Sequence, residues 1–185
     1  REIESNSPLI IIKKYSYNSS ALNDNTLAPI NAKLSINFFQ YISNEGGDQF
    51  DIKCTDKNFI KTIEKFANEY CNVLNCGNVQ LDNIWLNVNR KKDSNSIHDH
   101  PSSIISGVFY IKAPKNSGKL IFTNDALIRF FPLKIKQYNP NNSQTWFFTP
   151  EENYLYLFPS WLKHEVSTHY SNKERISLAF NFKGI

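Results

Sequence analysis

The sequence predicts a mainly β fold with N-terminal helices, whose core is a double-stranded β-helix, the jelly-roll of two facing sheets. Three observations support this prediction. Helical patterns occupy the first 78 residues, about eight short alternating segments follow from Val79 onward, and turn-forming clusters separate those segments. At 185 residues the chain fits one domain, with an N-terminal strand and supporting helices at 1–78 and a β-helix core at 79–185.

The N-terminal part begins with an expected edge strand at Pro8–Tyr17 and continues with two helices. Leu27–Ile42 has apolar residues at intervals of three and four, as an amphipathic helix does. A second amphipathic helix is expected from Lys57 to about Leu74, with Asp56 as its N-cap. Both helices are expected to pack on the outer face of a sheet.

The core region contains segments rich in β-branched and aromatic residues. The expected strands are Leu81–Arg90, Ile104–Lys112, Lys119–Thr123, Leu127–Phe131, Thr145–Phe148, Tyr154–Phe158, Glu165–His169 and Arg175–Phe182. In the last strand, apolar residues alternate with Arg175, Ser177, Ala179 and Asn181. Burying an arginine on a sheet face is costly unless an anion pairs with it, so this polar face is expected to face a ligand.

Composition excludes several classes of protein. The net charge of +4, with one short basic run at Arg90–Lys92, gives no nucleic-acid signal. No stretch approaches the roughly 20 apolar residues of a membrane span, so a soluble cytoplasmic protein without a membrane partner is expected.

Cys54, Cys71 and Cys76 lack C-x-x-C spacing and are expected to be reduced thiols. Because the chain has no methionine, we expect the natural protein to begin before Arg1.

Three of the four histidines form a pattern typical of a metal site. His98 and His100 stand two apart in an extended stretch, so they are expected on one face, with Asp99 pointing away. His164 lies in a similar setting near the far end. A local pair completed by a ligand from a distant strand is what a metal site on a β-barrel requires. His169 lies in a turn-rich segment and is expected to be solvated.

With these histidines and the R-x-S of the last strand, the chain resembles the iron(II)- and 2-oxoglutarate-dependent oxygenases. The segments that carry the resemblance are IHDHPSSIISGVFYIKAPKNSGKLIF (Ile97–Phe122) and YLFPSWLKHEVSTHYSNKERISLAFNF (Tyr156–Phe182). It covers roughly Leu81–Phe182 and is closest to a small branch related to prolyl-hydroxylase-like enzymes. It implies Fe(II), 2-oxoglutarate as co-substrate, and a hydroxylase that couples decarboxylation of 2-oxoglutarate to oxidation of a substrate C–H bond.

The metal ligands depart from the superfamily pattern at one position. Members usually have a carboxylate two residues after the first histidine, where this chain has His100. Either His98, His100 and His164 all bind the metal, or Asp99 is a ligand and one histidine is displaced. Strand alternation favours the three histidines. Imidazoles with an ordinary pKa near 6.5 then predict metal loss as the pH falls through about 6.

The resemblance also assigns residues to the co-substrate. Arg175 is expected to hold the distal carboxylate of 2-oxoglutarate, with Ser177 and Tyr110 as further hydrogen-bond donors. No motif identifies the primary substrate, and the resemblance favours a protein or peptide side chain. Candidates for the substrate pocket are Asn87, Asn89, Asn181 and Trp161.

Two other functions stay open on the sequence. One is a three-histidine iron dioxygenase that does not use 2-oxoglutarate and binds its organic substrate directly to iron. The other is a non-catalytic jelly-roll binding module whose histidines hold a structural metal or none. Arg175 and Ser177 discriminate, because a dicarboxylate explains both residues and the alternatives explain neither.

Overall fold

The computed structural model describes residues 10–14, 44–52, 54, 56–125 and 135–185. Within these ranges lies one helix, α1, at Lys57–Val73. The strands, numbered in chain order, are β1 (Ile11–Lys14), β2 (Asn44–Glu45), β3 (Asp48–Asp51), β4 (Val79–Asn89), β5 (Ser94–His98), β6 (Ile105–Lys112), β7 (Leu120–Thr123), β8 (Thr145–Phe148), β9 (Tyr154–Pro159), β10 (Lys163–Val166) and β11 (Arg175–Gly184). The predicted helix at Leu27–Ile42 and the predicted strand at Leu127–Phe131 lie outside the described residues.

The strands form two antiparallel sheets. One sheet has the order β1-β9-β6-β11-β4-β3, and the other has the order β2-β5-β10-β7-β8. Side chains from both sheets line one cavity, so the sheets face each other across it. The prediction of a mainly β protein is confirmed, and β1 lies at a sheet edge as expected. Of the two predicted N-terminal helices, one lies among the described residues and is observed.

The helix α1 has the boundaries that its sequence predicts. The Asp56 carboxylate accepts hydrogen bonds from the backbone N–H groups of Asn58 and Phe59, at 2.9 and 3.0 Å, which caps the N-terminus. At the other end, Asn75 adopts a left-handed conformation with φ of 53°, which ends the helix. The buried face packs on the outside of the six-stranded sheet, as predicted. It comprises Phe59, Ile63, Ala67, Tyr70 and Cys71.

The last strand, β11, separates the helix-covered core from the cavity. Leu178, Phe180 and Phe182 pack in the cluster beneath α1. The alternate residues Arg175, Ser177 and Ala179 line the cavity. The predicted alternation is therefore confirmed, and the apolar face holds the polar face in place.

Two sequence predictions near His164 are corrected by the structure. The strand expected at Glu165–His169 instead runs from Lys163 to Val166, because the turn after Pro159 is short and returns the chain early. His169 is fully buried rather than solvated. Its backbone N–H donates to the carbonyl of Asp93, and its ring Nε2 lies 2.7 Å from the carbonyl oxygen of Lys173, so the segment packs as an ordered loop.

Candidate active site

The three predicted histidines lie close together in the lining of the cavity. His98 is the last residue of β5 and lies directly opposite His164 on the paired strand β10. Their ring centroids are 4.3 Å apart, and each lies 5.0 Å from that of His100. Among the described residues, these three form a group whose candidate ligand nitrogens all lie within 4.8 Å of one another. Such a group could hold one metal ion.

In two of the three rings, a hydrogen bond to a backbone carbonyl determines which nitrogen faces the other histidines. Nδ1 of His98 is 2.7 Å from the carbonyl oxygen of Ser96, and Nδ1 of His164 is 2.9 Å from that of Leu162. A carbonyl oxygen can only accept, so both Nδ1 atoms carry the proton. Nε2 of each ring is therefore left with a free lone pair, which is the form that ligates a metal.

Burial keeps the three imidazoles neutral. It lowers the pKa of His98, lowers that of His100 to about 4, and lowers that of His164 well below its ordinary value. Repulsion from neighbouring histidines adds to the effect at His100 and His164, since each imidazole disfavours a positive charge on these rings. Metal loss is therefore expected at a lower pH than the value of about 6 that unperturbed histidines predict.

Asp99 is exposed and does not belong to the histidine group. His100 lies two residues beyond the end of β5, where its backbone N–H donates to the carbonyl of Ser160 at 2.9 Å. The Ser160 hydroxyl is in turn 2.8 Å from that of Ser106, which donates to Asn181. This buried polar chain fixes the backbone at His100 although the strand has ended.

Aromatic side chains lie beside the histidines. The ring of Phe158 lies 4.6 Å from that of His164, measured between centroids, and Phe122 lies 6.1 Å away. The ring of Trp85 is 5.7 Å from that of His100. The cavity encloses about 530 Å³, counting the solvent at its mouth.

Arg175 also lines this cavity and is only 1% exposed. Its Nη1 donates to the carbonyl of Ser117 at 2.6 Å, and its Nη2 donates to the side-chain oxygens of Asn89 and Asn95 at 2.8 and 3.2 Å. All three acceptors are neutral. Among the described residues, no carboxylate lies within ion-pair distance of this guanidinium. Its Nε is buried and has no partner.

A row of polar side chains on three adjacent strands accompanies Arg175. Ser177 on β11 is in register with Tyr110 on β6 and with Asn87 on β4, and all three residues are buried. Burial raises the pKa of Tyr110 to about 12, so the phenol keeps its proton and can donate. The side-chain oxygen of Asn87 is buried without a partner. These groups line the same cavity as the histidines.

The predicted substrate-pocket residues occupy different places. Asn87 lines the cavity, and Asn89 accepts a hydrogen bond from Arg175. Asn181 is buried and accepts from Ser106. Trp161 is 57% exposed and lies outside the cavity lining.

The sequence prediction missed Asn95, which contacts Arg175. Simple alternation would place Asn95 and His98 on opposite faces, because they are three residues apart. An irregularity in the β5–β10 pair removes this difference, since Val166 is in register with Asn95 and His164 with His98. A β-bulge of this kind adds one residue to a strand and turns both side chains to one face.

A sequence profile of one protein family, described as "Putative 2OG-Fe(II) oxygenase", matches residues 83–181. The chain belongs to this family. The matched segment contains the three histidines, Arg175, Ser177 and Tyr110. Fe(II) and 2-oxoglutarate are the cofactor and co-substrate that membership implies. No curated protein matches the sequence.

Solved structures with the same fold include several prolyl hydroxylases. The viral collagen prolyl hydroxylase of Paramecium bursaria Chlorella virus-1, in complex with 2-oxoglutarate, has a TM-score of 0.64 at 12% identity, and the match covers 99% of each chain. A prolyl-4-hydroxylase of Pseudomonas putida has a TM-score of 0.61 at 13% identity, over 95% of this chain and 92% of that one. A Trichoplax adhaerens prolyl hydroxylase, in complex with a hypoxia inducible factor peptide, has a TM-score of 0.63 at 14% identity, over 97% and 85%.

These likenesses confirm the jelly-roll architecture, and at such low identity they concern the fold alone. Within the described part of the chain, no helix is both long and apolar enough to cross a membrane.

Proposed function

We propose that the protein is a non-haem iron dioxygenase that uses 2-oxoglutarate to hydroxylate an organic substrate. The observation that carries this proposal is the uncompensated guanidinium of Arg175 in the cavity that also contains three neutral imidazoles. A buried cation without an anionic partner is costly, and a bound carboxylate removes that cost. An anion that reaches both Arg175 and the histidines needs a carboxylate at one end and a metal-binding group at the other, and 2-oxoglutarate has both.

The histidine group fits Fe(II) by its donor chemistry. Imidazole nitrogen is a suitable ligand for iron, and two of the three rings present Nε2 with its lone pair free. His98, His100 and His164 would hold the ion. When bound, Fe(II) and 2-oxoglutarate supply the oxidising chemistry, in which dioxygen is consumed, 2-oxoglutarate is converted to succinate and CO2, and a substrate C–H bond is oxidised.

The chain's own residues bind and orient the co-substrate. Arg175 would pair with the distal carboxylate through its free Nε, and the neutral phenol of Tyr110 and the hydroxyl of Ser177 would donate to the same ligand. Phe158, Phe122 and Trp85 would keep bulk water from the metal side of the cavity. Each of these roles uses a side chain that is already in place.

For the primary substrate we favour a protein or peptide side chain. The support is the likeness to prolyl hydroxylases, one of which is described with a peptide bound. Asn87, with its unpartnered oxygen, is the substrate-contact candidate inside the cavity. Neither Asn181 nor Trp161 lines the cavity. The buried Asn181 would act only through its hydrogen bond to Ser106, and the exposed Trp161 would contribute only to the surface that a substrate approaches.

The decisive experiment is a melting curve of the Mn(II)-loaded protein without oxygen, with and without 2-oxoglutarate. A ligand that binds only the native state raises Tm as its concentration exceeds Kd. We expect 2-oxoglutarate to raise Tm in the presence of Mn(II), and the uncharged ester of the same acid to have no effect. If Mn(II) stabilises the protein and 2-oxoglutarate adds nothing, the co-substrate assignment is wrong.

The three-histidine set favours one alternative, a dioxygenase that binds its organic substrate directly to iron without 2-oxoglutarate. That enzyme would show the metal-dependent rise in Tm and no response to 2-oxoglutarate. In that enzyme no bound carboxylate would compensate the buried charge of Arg175, and we therefore rank it second.

A further inference from the structure

Asn44 contacts both of the amides that hold Arg175. It is the first residue of the two-residue strand β2, more than forty positions before Asn89, Asn95 and Arg175, which together with Asn44 form the Arg175 cluster. Its side-chain oxygen accepts hydrogen bonds from the amide nitrogens of Asn95, at 2.5 Å, and of Asn89, at 3.3 Å. The sequence prediction assigned no role to Asn44 or to the short strand that carries it.

The direction of every hydrogen bond in this cluster follows from the guanidinium. Arginine has donors and no acceptor, so Asn89 and Asn95 must turn their oxygens towards Nη2 of Arg175. Their nitrogens then point away and need an acceptor, which the side-chain oxygen of Asn44 supplies to both. The remaining nitrogen of Asn44 is buried without a partner. Asn44 leaves its own nitrogen without a hydrogen bond and directs its oxygen to both amides. The two amides therefore determine the orientation of Asn44.

A glycine turn brings Asn44 to this place. Gly46 and Gly47, with φ of 79° and 67°, form the turn between β2 and β3, and such values strongly favour glycine. A Cβ on Gly47 would lie 2.6 Å from the side-chain nitrogen of Asn89, so only glycine allows this close approach. Because β2 pairs with β5 and β3 pairs with β4, the turn joins the two sheets beside the Arg175 cluster.

We propose that Asn44 is a positioning residue that orients Asn89 and Asn95, so that they hold Arg175 with its Nε free for a carboxylate. The proposal rests on the proposed function in naming 2-oxoglutarate as that ligand. Asn44 touches neither the ligand nor the metal. Without its oxygen, the two amides lose the acceptor that fixes their orientation, and the guanidinium can rotate into hydrogen bonds that use Nε.

The test compares Asn44→Ala with Glu45→Ala in the full chain. Glu45 is a matched control, because it also joins β2 to β5, through the hydroxyls of Ser94 and Ser96, and does not contact the amide cluster. Calorimetric titration of the Mn(II) protein is expected to give about tenfold weaker 2-oxoglutarate binding for Asn44→Ala, the effect of one lost buried acceptor. Mn(II) affinity is expected to stay within about twofold for both variants, and Glu45→Ala should match wild type throughout.

A second readout is independent of 2-oxoglutarate. In NMR spectra of Asn44→Ala, the Nε–H signal of Arg175 is expected to shift, and the side-chain amide signals of Asn89 and Asn95 are expected to shift and exchange faster. All of these signals are expected to be unchanged in Glu45→Ala. If wild type does not bind 2-oxoglutarate, the proposed function fails and these signals still decide the role of Asn44. If Asn44→Ala does not fold, Asn44→Thr, which keeps strand propensity, is measured instead. Unchanged signals, or equal losses of affinity in the Asn44 and Glu45 variants, would overturn the proposal.

Discussion

His98 and His164 face each other across the β5–β10 pair, and each donates its Nδ1 proton to a carbonyl two residues earlier in its own chain segment. The two metal-facing nitrogens are thus oriented by backbone rather than by side chains. A carbonyl partner of this kind fixes the tautomer of a ligating histidine. The candidate metal site therefore depends on the register of a single strand pair.

Removal of either ring is expected to abolish metal binding. In His164→Ala and His98→Ala only two imidazoles remain, so Mn(II) affinity should fall by at least about a hundredfold in calorimetric titration. Asp99→Ala is the matched control, because Asp99 is adjacent, exposed and outside the histidine group. It should bind Mn(II) as wild type does. A large loss in Asp99→Ala would mean that the carboxylate is a ligand after all.

Arg175→Ala is expected to weaken 2-oxoglutarate binding by about 2 to 5 kcal/mol, the usual cost of removing one partner of a buried charge pair. Arg175→Lys should lose less, since it keeps the charge and loses the planar fork. Arg90→Ala serves as control, because Arg90 is a surface residue paired with Asp48 and Glu174. Titration of the Mn(II) protein measures all three. Equal affinities for wild type and Arg175→Ala would favour the binding-module alternative.

The apo-protein is expected to lose stability as the pH falls below about 6.5. The folded state lowers the pKa of His98, His100 and His164, so below that pH the unfolded chain binds more protons than the native one. Stability is therefore present above pH 6.5 and decreases towards pH 4, by on the order of 3 kcal/mol for His100 alone, whose pKa falls to about 4. Urea unfolding at several pH values measures this slope.

Replacement of His100 by a neutral amide checks the source of that pH dependence. His100→Gln removes one of the three titrating rings, so its free energy of unfolding should change less between pH 6.5 and 4 than that of wild type. If the two proteins show the same slope, the acid sensitivity arises from other groups.

Local patterns predicted much of this fold because they report burial on one strand or helix at a time. The helix α1 and the alternation of β11 follow from the period of a helix and of a strand. The same alternation led to the expectation that His98 and His100 share one face, although His100 lies beyond the end of β5. The short strands β2 and β3 were not predicted, because two to four mostly polar residues carry no periodic signal.

The contacts around Arg175 could be predicted only in part from local sequence patterns. Arg175 itself was predicted to bind an anion from its place in β11, and its burial supports that expectation. Asn95 reaches it only because of the bulge in β5, and Asn44 only because the glycine turn joins two sheets. The contact of Asn44 with Asn95 spans more than fifty residues, and the contact of Asn95 with Arg175 depends on strand register. A single segment of sequence specifies neither.

Gly107→Ala is expected to destabilise the protein by about 1 to 3 kcal/mol, the cost of overpacking a core. Gly107 lies on β6, where an added Cβ would overlap the ring of Phe180 and come within 2.8 Å of Leu157. Gly77→Ala is the control, because an added Cβ there meets nothing within 4 Å. Urea unfolding curves compare the two. Similar stabilities for both variants would show that the strands can separate enough to admit a methyl group.

His100→Asp tests what the missing carboxylate does. An aspartate at this position gives the metal one negative charge, where the native group supplies three neutral imidazoles. The resemblance to oxygenases with a carboxylate two residues after the first histidine implies that its shorter side chain reaches the ion. We therefore expect Mn(II) affinity at pH 7 at least equal to that of wild type. Without metal, the buried carboxyl beside Trp85 should instead lower the free energy of unfolding, since burial disfavours its charged form.

The His100→Asp variant should consequently show a larger rise in Tm on metal addition than wild type, from a lower starting point. Between pH 7 and pH 6 its metal binding should be no more sensitive to acid than that of wild type, because the ordinary pKa of an aspartate, near 3.9, and the pKa of His100, about 4, both lie well below this range. Melting curves with and without Mn(II) measure the first effect, and titrations with Mn(II) at pH 7 and pH 6 measure the second. Weaker binding than wild type at both pH values would mean that His100 supplies a geometry that an aspartate cannot, and that its neutral imidazole is a required ligand.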